Sequence, residues 1–353
     1  MQIDTVTLKN TQGVTMPKIG IGTWHMGENP QSAKNEVGAL RHARDLGFTH
    51  FDTAEMYGEG GAEEILGRAF AGQDRDGLFL TSKVYPWNAA KNDMIAACEQ
   101  SLKRLRTDHI DLYLLHWPGS VPFEETLEDA RLLLDQEKIR AFGISNFDTE
   151  GLRQIMDAGM GDLVSVNQVM HNIPHRGVEL DLFPFMAEQG ITAVAYSPLE
   201  IGPTTKIPGI AAIAREENLT VAQLVLAWHM TRGLAVPIPK SSRIEHLDDL
   251  AAAAQVQLSP STLDRIDALA PLPPQPVPLE IRLAGWQDCS ARDEADRPGH
   301  TGPGRERCEL RSGEAFTQGQ HLPHEAGRSS FLRDANRFGS AKALAQYLIL
   351  KTS

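Results

Sequence analysis

From about residue 19 to residue 250, short apolar runs alternate with longer segments whose apolar positions recur every three or four residues. That alternation predicts repeated β-α units around a parallel sheet buried on both faces. The runs predict strands at Ile19–Gly22, His50–Thr53, Leu78–Lys83, Ile110–His116, Ile139–Ser145, Leu163–Gln168, Thr192–Tyr196 and Ala235–Ile238. Eight strands close a barrel, so the expected fold class is α/β, a TIM (β/α)8 barrel. Between strands, Val37, Leu40, Ala43 and Leu46 share one face of a helix over Glu36–Leu46. Met94, Ile95, Cys98, Leu102 and Leu105 do the same over Asp93–Leu105, with Asp93 the expected N-cap and Cys98 expected in the core. Ahead of the first barrel strand, Thr5–Leu8 and Val14–Lys18 flank Gln12-Gly13 and predict a hairpin that plugs the barrel floor.

The periodicity breaks at PLPPQPVP, where Pro271, Pro273, Pro274 and Pro276 forbid both helix and central strand. Residues 1–280 are therefore expected to form the barrel. Residues 281–353 form an atypical tail, expected to be mostly disordered, with a helical pattern only at Ser340–Leu350.

Composition narrows the class. Of the 353 residues, 41% are hydrophobic and 23% charged, near the averages of globular proteins, which suggests neither wholesale disorder nor a membrane protein. The opening MQIDTVTLKN has no basic n-region before an apolar core, and no later run approaches a bilayer span, so a cytoplasmic protein is expected. Net charge is -12, with 23 basic and 37 acidic residues up to Glu280 against 11 and 9 beyond it. An acidic body argues against nucleic acid as a partner. Cys98, Cys289 and Cys308 are scattered and form no CxxC pair, so neither a disulfide framework nor a metal site is expected.

Catalytic groups of a barrel sit at the carboxyl ends of its strands. The predicted strand ends carry Asp52, with Tyr57 in the loop FDTAEMYG, then Lys83, His116, Ser145-Asn146 and Gln168. One Asp at such an end is ordinarily a helix cap and one Lys ordinarily reaches solvent; their coincidence over one mouth points to chemistry. Lys83 follows the apolar LFLTS, where an ammonium needs a counter-ion, and Asp52 on the adjacent strand supplies one. The cation is expected to lower the Tyr57 phenol from its usual value of about 10 and make it a proton donor. His116 can orient a carbonyl oxygen, unless it is simply a core histidine satisfied by backbone.

Carbonyl reduction also needs hydride, which no side chain supplies, so a nicotinamide or flavin is required. A Rossmann fingerprint fails, because His25 replaces the third glycine after Gly20 and Gly22. Barrels instead bind phosphate after their last strands, at a helix N-terminus. There, Lys240, Ser241, Ser242 and Arg243 precede a helix expected from about Ile244. A basic serine-rich loop is by itself a solvated turn, but in this acidic body two cations suit an extra 2′-phosphate, hence NADP.

These residues resemble the catalytic tetrad of the aldo-keto reductase family. The surrounding GIGTW from Gly20, FDTAEMYG from Phe51, LHWP from Leu115, GISNF from Gly143, NQV from Asn167, YSPL from Tyr196 and IPKS from Ile238 are similar to its signatures, in order, up to about Glu280. SKVYPWNA from Ser82 and DTAEMYGEGGAEE from Asp52 look most like bacterial members that reduce methylglyoxal and related 2-oxoaldehydes. The resemblance implies NADPH-dependent reduction of a small carbonyl substrate, with Asp52, Tyr57, Lys83 and His116 catalytic. It implies that Ser145, Asn146 and Gln168 hold the nicotinamide carboxamide, that Tyr196 stacks on the ring, and that Ser197 and Leu199 lie beneath the pyrophosphate. Thr23 and Trp24 are carried over as further cofactor contacts, and a monomer is the family habit. Trp24, Trp87 and Trp117 look like walls of a substrate pocket, or ordinary core.

Two departures stand out. His246 and Leu250 occupy positions where the family commonly has an arginine and an asparagine toward the 2′-phosphate and adenine, which leaves NADH an open alternative and Arg243 a compensating group. Nothing beyond about Ile281 resembles the family; a disordered extension and a shifted reading frame are both open. Two other functions remain. A Schiff-base aldolase would use Lys83 with a lowered pKa, against the effect of Asp52. An NADPH-binding scaffold or regulatory protein would use the same fold with little turnover.

Overall fold

The computed structural model describes residues 2–281. The tail expectation, including the helix at Ser340–Leu350, lies outside the described residues.

Strands β1 (Thr5–Thr7) and β2 (Thr15–Pro17) pair antiparallel as the expected hairpin. The barrel strands are β3 (Gly20–Gly22), β4 (His50–Asp52), β5 (Phe79–Val84), β6 (Leu112–Leu115), β7 (Phe142–Ser145), β8 (Val164–Met170), β9 (Thr192–Tyr196) and β10 (Val236–Pro237). All are parallel and pair in sequence order from β3 to β10. A bridge between Gly22 and Lys240, with Gly22 N–H donating to Pro239 O at 2.9 Å, brings the two edges together into a nearly closed barrel.

Alternation along the strands divides the core in two. Leu112 and Leu114 point into the barrel with Phe79, Val166, Val194, Val236 and Ile238, and Leu8 and Met16 of the hairpin region join that cluster as the plug. Tyr113 and Leu115 point outward to the helix layer, with Phe51, Leu80 and Ile144. Residues buried on both faces explain why these strands read as continuous apolar runs.

The first helices are α1 (Ala33–Asp45), α2 (Gly61–Phe70), α3 (Asp93–Leu105), α4 (Phe123–Asp135), α5 (Thr149–Asp157) and α6 (Leu182–Glu188). The chain continues with α7 (Ile201–Thr205), α8 (Ile210–Glu216), α9 (Val221–Arg232), α10 (Ile244–Ala253) and α11 (Pro260–Leu269). Capping marks several starts: Asp148 Oδ1 accepts from Gly151 N–H at 2.8 Å ahead of α5, and Thr220 with Gln223 forms a capping box on α9. For α3 the expected cap shifts by one residue, because Asn92, in left-handed backbone at φ 68°, takes that position and Asp93 is the first helical residue. Cys98 is buried, as expected.

The proline run ends α11 but not the packing. Leu279 is buried against the main core, and Glu280 pairs with His175 at 3.0 Å. Among the described residues no helix is long and apolar enough to cross a membrane.

Candidate active site

On β4 and β5 the inward positions climb toward the carboxyl end of the barrel. Phe79 lies lowest on β5; His50 and Thr81 follow, joined at 3.0 Å; Asp52 and Lys83 come last. Outward neighbours alternate with them, and Ser82 donates instead to Glu63 of α2 at 2.6 Å. Lys83 Nζ donates to Asp52 Oδ1 at 2.6 Å, to Thr53 O at 2.8 Å and to Tyr57 Oη at 3.3 Å. All three donors of the ammonium are used, although its side chain is fully buried. Tyr57 reaches it because the chain turns sharply after β4, with Glu55 N–H donating to Lys83 O and Tyr57 N–H to Ala54 O. His116 follows β6, its ring 5.8 Å from that of Tyr57 and edge-on to it. The Nδ1 of His116 is buried without a hydrogen-bond partner.

The opposite wall is amide and hydroxyl. Ser145 Oγ donates to Gln168 O at 2.8 Å, Asn146 Nδ2 donates to His116 O at 3.0 Å, and Tyr196 Oη donates to Asn146 Oδ1 at 3.0 Å. Gln168 Nε2 crosses the barrel mouth to Asp52 Oδ2 at 2.8 Å. That last contact depends on an irregularity. Between Phe142 and Ile144 the partners on β8 advance from Val164 to Asn167, so β8 carries one extra residue. Val164 consequently faces the helices, whereas Val166 faces the barrel interior and Gln168 follows it on that side.

A cleft of about 670 Å³, open to solvent, runs between these walls. Asp52, Tyr57 and His116 line it together with Ser145, Asn146 and Gln168. Thr23, Trp24, Tyr196, Ser197 and Lys240 extend it toward the closing edge of the barrel. Asn146 (φ 64°) and Ser197 (φ 48°) both adopt left-handed backbone here, a strain that clusters at functional sites.

Electrostatics correct one expectation. Burial pushes the Tyr57 phenol above its ordinary value, outweighing the pull of Lys83 in the other direction. Burial alone would lower Lys83, but Asp52 and Tyr57 more than offset it and hold the ammonium above its usual pKa. Burial, reinforced by Lys83, drives His116 well below the ordinary histidine value. A protonated phenol, a firm ammonium and a neutral imidazole thus face one another.

The remaining predicted residues divide. Ser241 is buried and closes its loop, its Oγ accepting from Arg243 N–H at 3.1 Å and donating to Arg243 O at 3.2 Å. Ser241, Ser242, Arg243 and Leu199 do not line the cleft. The Arg243 side chain is 67% exposed and points to Glu245, 3.9 Å away. Leu250 is a core residue on α10 and His246 is exposed. Trp87 and Trp117 flank the cleft instead of lining it, in a cluster with Tyr85. Tyr85 and Glu55 escaped the sequence reading, for neither ends a strand in polar contrast to its surroundings.

A parallel (β/α)8 barrel with proton-handling groups converging at the carboxyl ends of its strands defines an enzyme of the barrel class. The sequence model of the Aldo/keto reductase family matches residues 18–271, and the chain belongs to that family. It is 42% identical over 273 residues, covering 76% of this chain and 96% of the relative, to methylglyoxal reductase YeaE of Escherichia coli K12. Glyoxal reductase of Bacillus subtilis is 35% identical over 269 residues, covering 75% of this chain and 92% of the relative. Among solved structures, a Klebsiella pneumoniae aldo-keto reductase in complex with NADPH superposes with a TM-score of 0.74 at 41% identity. That likeness covers 80% of this chain and all of the other.

Proposed function

We propose that the chain reduces aldehydes and ketones to alcohols with NADPH, Tyr57 giving the proton, and that methylglyoxal and related 2-oxoaldehydes lie within its substrate class. The observation that carries this reading is the shared ammonium: Lys83 Nζ sits between Asp52 Oδ1 at 2.6 Å and Tyr57 Oη at 3.3 Å. Tyr57 enters the reaction protonated, because burial keeps its proton on. As that proton leaves for the carbonyl oxygen, the phenolate forms beside a fixed cation, so stabilisation is concentrated where charge develops. Asp52 keeps Lys83 charged throughout, which argues against the Schiff-base reading. The neutral His116 offers a ring nitrogen to orient the substrate oxygen without competing as an acid.

The cleft fits a nicotinamide in its donor set: amide and hydroxyl groups at Ser145, Asn146 and Gln168, with the Tyr196 ring beside them. When bound, the reduced nicotinamide supplies hydride to the carbonyl carbon. Those residues would hold its carboxamide and ring, with Thr23 and Trp24 nearby. Lys240, on the same cleft, would meet phosphate, with Ser241, Ser242 and Arg243 forming the loop ahead of α10 and Ser197 and Leu199 beneath the pyrophosphate. Support for the substrate class comes from the relatives named as methylglyoxal and glyoxal reductases.

The test is loss of NADPH absorbance with methylglyoxal and with an aromatic aldehyde, repeated with NADH and with Tyr57→Phe. Removing the proton donor should lower kcat by about a thousandfold while cofactor binding persists. Cofactor binding without turnover in the unaltered protein would point to the scaffold role instead.

A further inference from the structure

Glu55 stands two residues before Tyr57, yet its carboxylate serves the neighbouring loop. Its Oε1 accepts the backbone N–H of Tyr85 at 2.7 Å and the Nδ2–H of Asn88 at 3.1 Å. Those two residues bracket the short turn that follows β5. Within it, Tyr85 stacks on Trp87 at 4.3 Å and 20°. Both rings then meet Trp117 edge-on, at 5.9 and 5.7 Å. Trp117 lies 4.9 Å from His116, whose ring faces Tyr57. The contacts close a circuit from the Tyr57 loop through Glu55 and three aromatic rings back to Tyr57.

Glu55 is the polar link in that circuit. Burial raises its carboxyl above the ordinary range, opposed by the two N–H groups it accepts. It forms no ion pair with a described residue, so its contribution lies in those two hydrogen bonds. Trp87, in turn, is 45% exposed, with Tyr85 stacked on one side of its ring. An exposed indole held rigid beside a cleft is apolar area ready for a ligand.

On the reductase reading of this site, we propose that Glu55 is a positioning residue that holds the Tyr85–Trp87 loop as a binding wall for aromatic and other bulky carbonyl substrates. A carbonyl seated at Tyr57 and His116 directs a large substituent along Trp117 toward that wall, whereas a three-carbon 2-oxoaldehyde ends short of it. Glu55 therefore sets KM for large substrates. It leaves kcat alone, because Lys83 and Tyr57 are fixed separately by Asp52, Thr53 O and the backbone turn.

The experiment compares Glu55→Ala, Glu55→Gln and Asn88→Ala with methylglyoxal and an aromatic aldehyde. Glu55→Ala strands the Tyr85 N–H, and KM for the aromatic aldehyde should rise about tenfold. Asn88→Ala removes one of the two bonds and should raise it about threefold. Glu55→Gln keeps an acceptor oxygen and should restore KM to within about twofold, with kcat and the methylglyoxal KM equally little changed. Proportional losses on both substrates, a fall in kcat, or a glutamine variant as poor as alanine would overturn the assignment. A second readout is acrylamide quenching of the Trp87 signal, taken as the difference from the same protein carrying Trp87→Phe. Quenching should increase in Glu55→Ala, and no increase counts against the wall. Should the unaltered protein oxidise no NADPH with either aldehyde, the reductase reading fails, while quenching still decides whether Glu55 braces the loop.

Discussion

At the scale of single residues, the site works by opposing burial with charge. Lys83 is fully buried and Asp52 nearly so, and an ammonium there persists only because a carboxylate 2.6 Å away repays its lost hydration. Lys83→Met should therefore cost twice. It leaves Asp52 buried without its cation, destabilising the fold by about 3 kcal/mol, and it removes the charge that receives the phenolate. Urea unfolding and steady-state kinetics measure the two losses separately; full stability in the variant would mean that the Lys83–Asp52 pair adds nothing net to the fold. The pH profile gives an independent check. Tyr57 lies above its ordinary value and His116 far below its own, so neither titrates near neutrality. In reduction, kcat should stay level from about pH 6 to about pH 9. A step in kcat near 6.5 would show that His116 carries a proton in the working enzyme. Asp52, Lys83 and His116 were legible in the sequence because each is a polar residue in or after an apolar run. The direction of the Tyr57 shift was not, since a pattern shows that a cation is near but not how far water is shut out.

The same limit returns among the elements. Hydrophobic period placed all eight barrel strands and the helices α1 and α3, with ends that agree to within three residues, because burial on both faces is written directly into composition. What the period could not carry was the extra residue in β8, which turns Gln168 toward Asp52. The Asn92 cap was equally hidden, for its left-handed φ of 68° comes from the preceding turn. Helix packing shows how strictly the elements are fitted. Gly67 lies inside α2, where alanine would ordinarily stabilise a helix by about 0.5–1 kcal/mol. Here a Cβ would stand 2.2 Å from Arg104 O and 3.0 Å from Leu105 C, both backbone atoms at the end of α3 that cannot swing aside. Gly67→Ala should reverse the usual sign and destabilise by roughly 1–3 kcal/mol. Because α2 follows directly from the Tyr57 segment, turnover should fall with stability. Thermal unfolding of this variant beside Gly38→Ala, a helical glycine with nothing within 4 Å, separates crowding from propensity. Equal shifts in the two would remove the packing argument.

For the whole molecule, buried histidines set the response to acid. Burial pushes His50 down to about 4 and His229 down to about 3. Each is fully enclosed, with one nitrogen committed: His50 Nε2 to Thr81 Oγ1 at 3.0 Å, and His229 Nε2 to Pro198 O at 3.1 Å. In the unfolded chain both take up protons below about pH 6.5, while the native state refuses them. Their contribution is therefore complete above that pH and is lost as pH falls toward 4 and 3, at about 1.4 kcal/mol per pH unit for each histidine. A second stage begins lower. Burial alone would raise the Glu179 carboxyl, but His171 and Arg176 outweigh it and bring it down to about 2. Stability held by Glu179 is present above about pH 4.5 and drains away between there and 2. Because Glu179 also grips Arg232 at 2.9 Å, its protonation loosens the attachment of α9 just where the histidines have already weakened it. Urea unfolding between pH 7.5 and 4 should show stability falling from about 6.5 downward, well before carboxylates titrate. His229→Gln can still donate to Pro198 O and should reduce that slope by about one proton. A level stability down to pH 5 would mean that these histidines reach solvent or already hold a proton in the native protein.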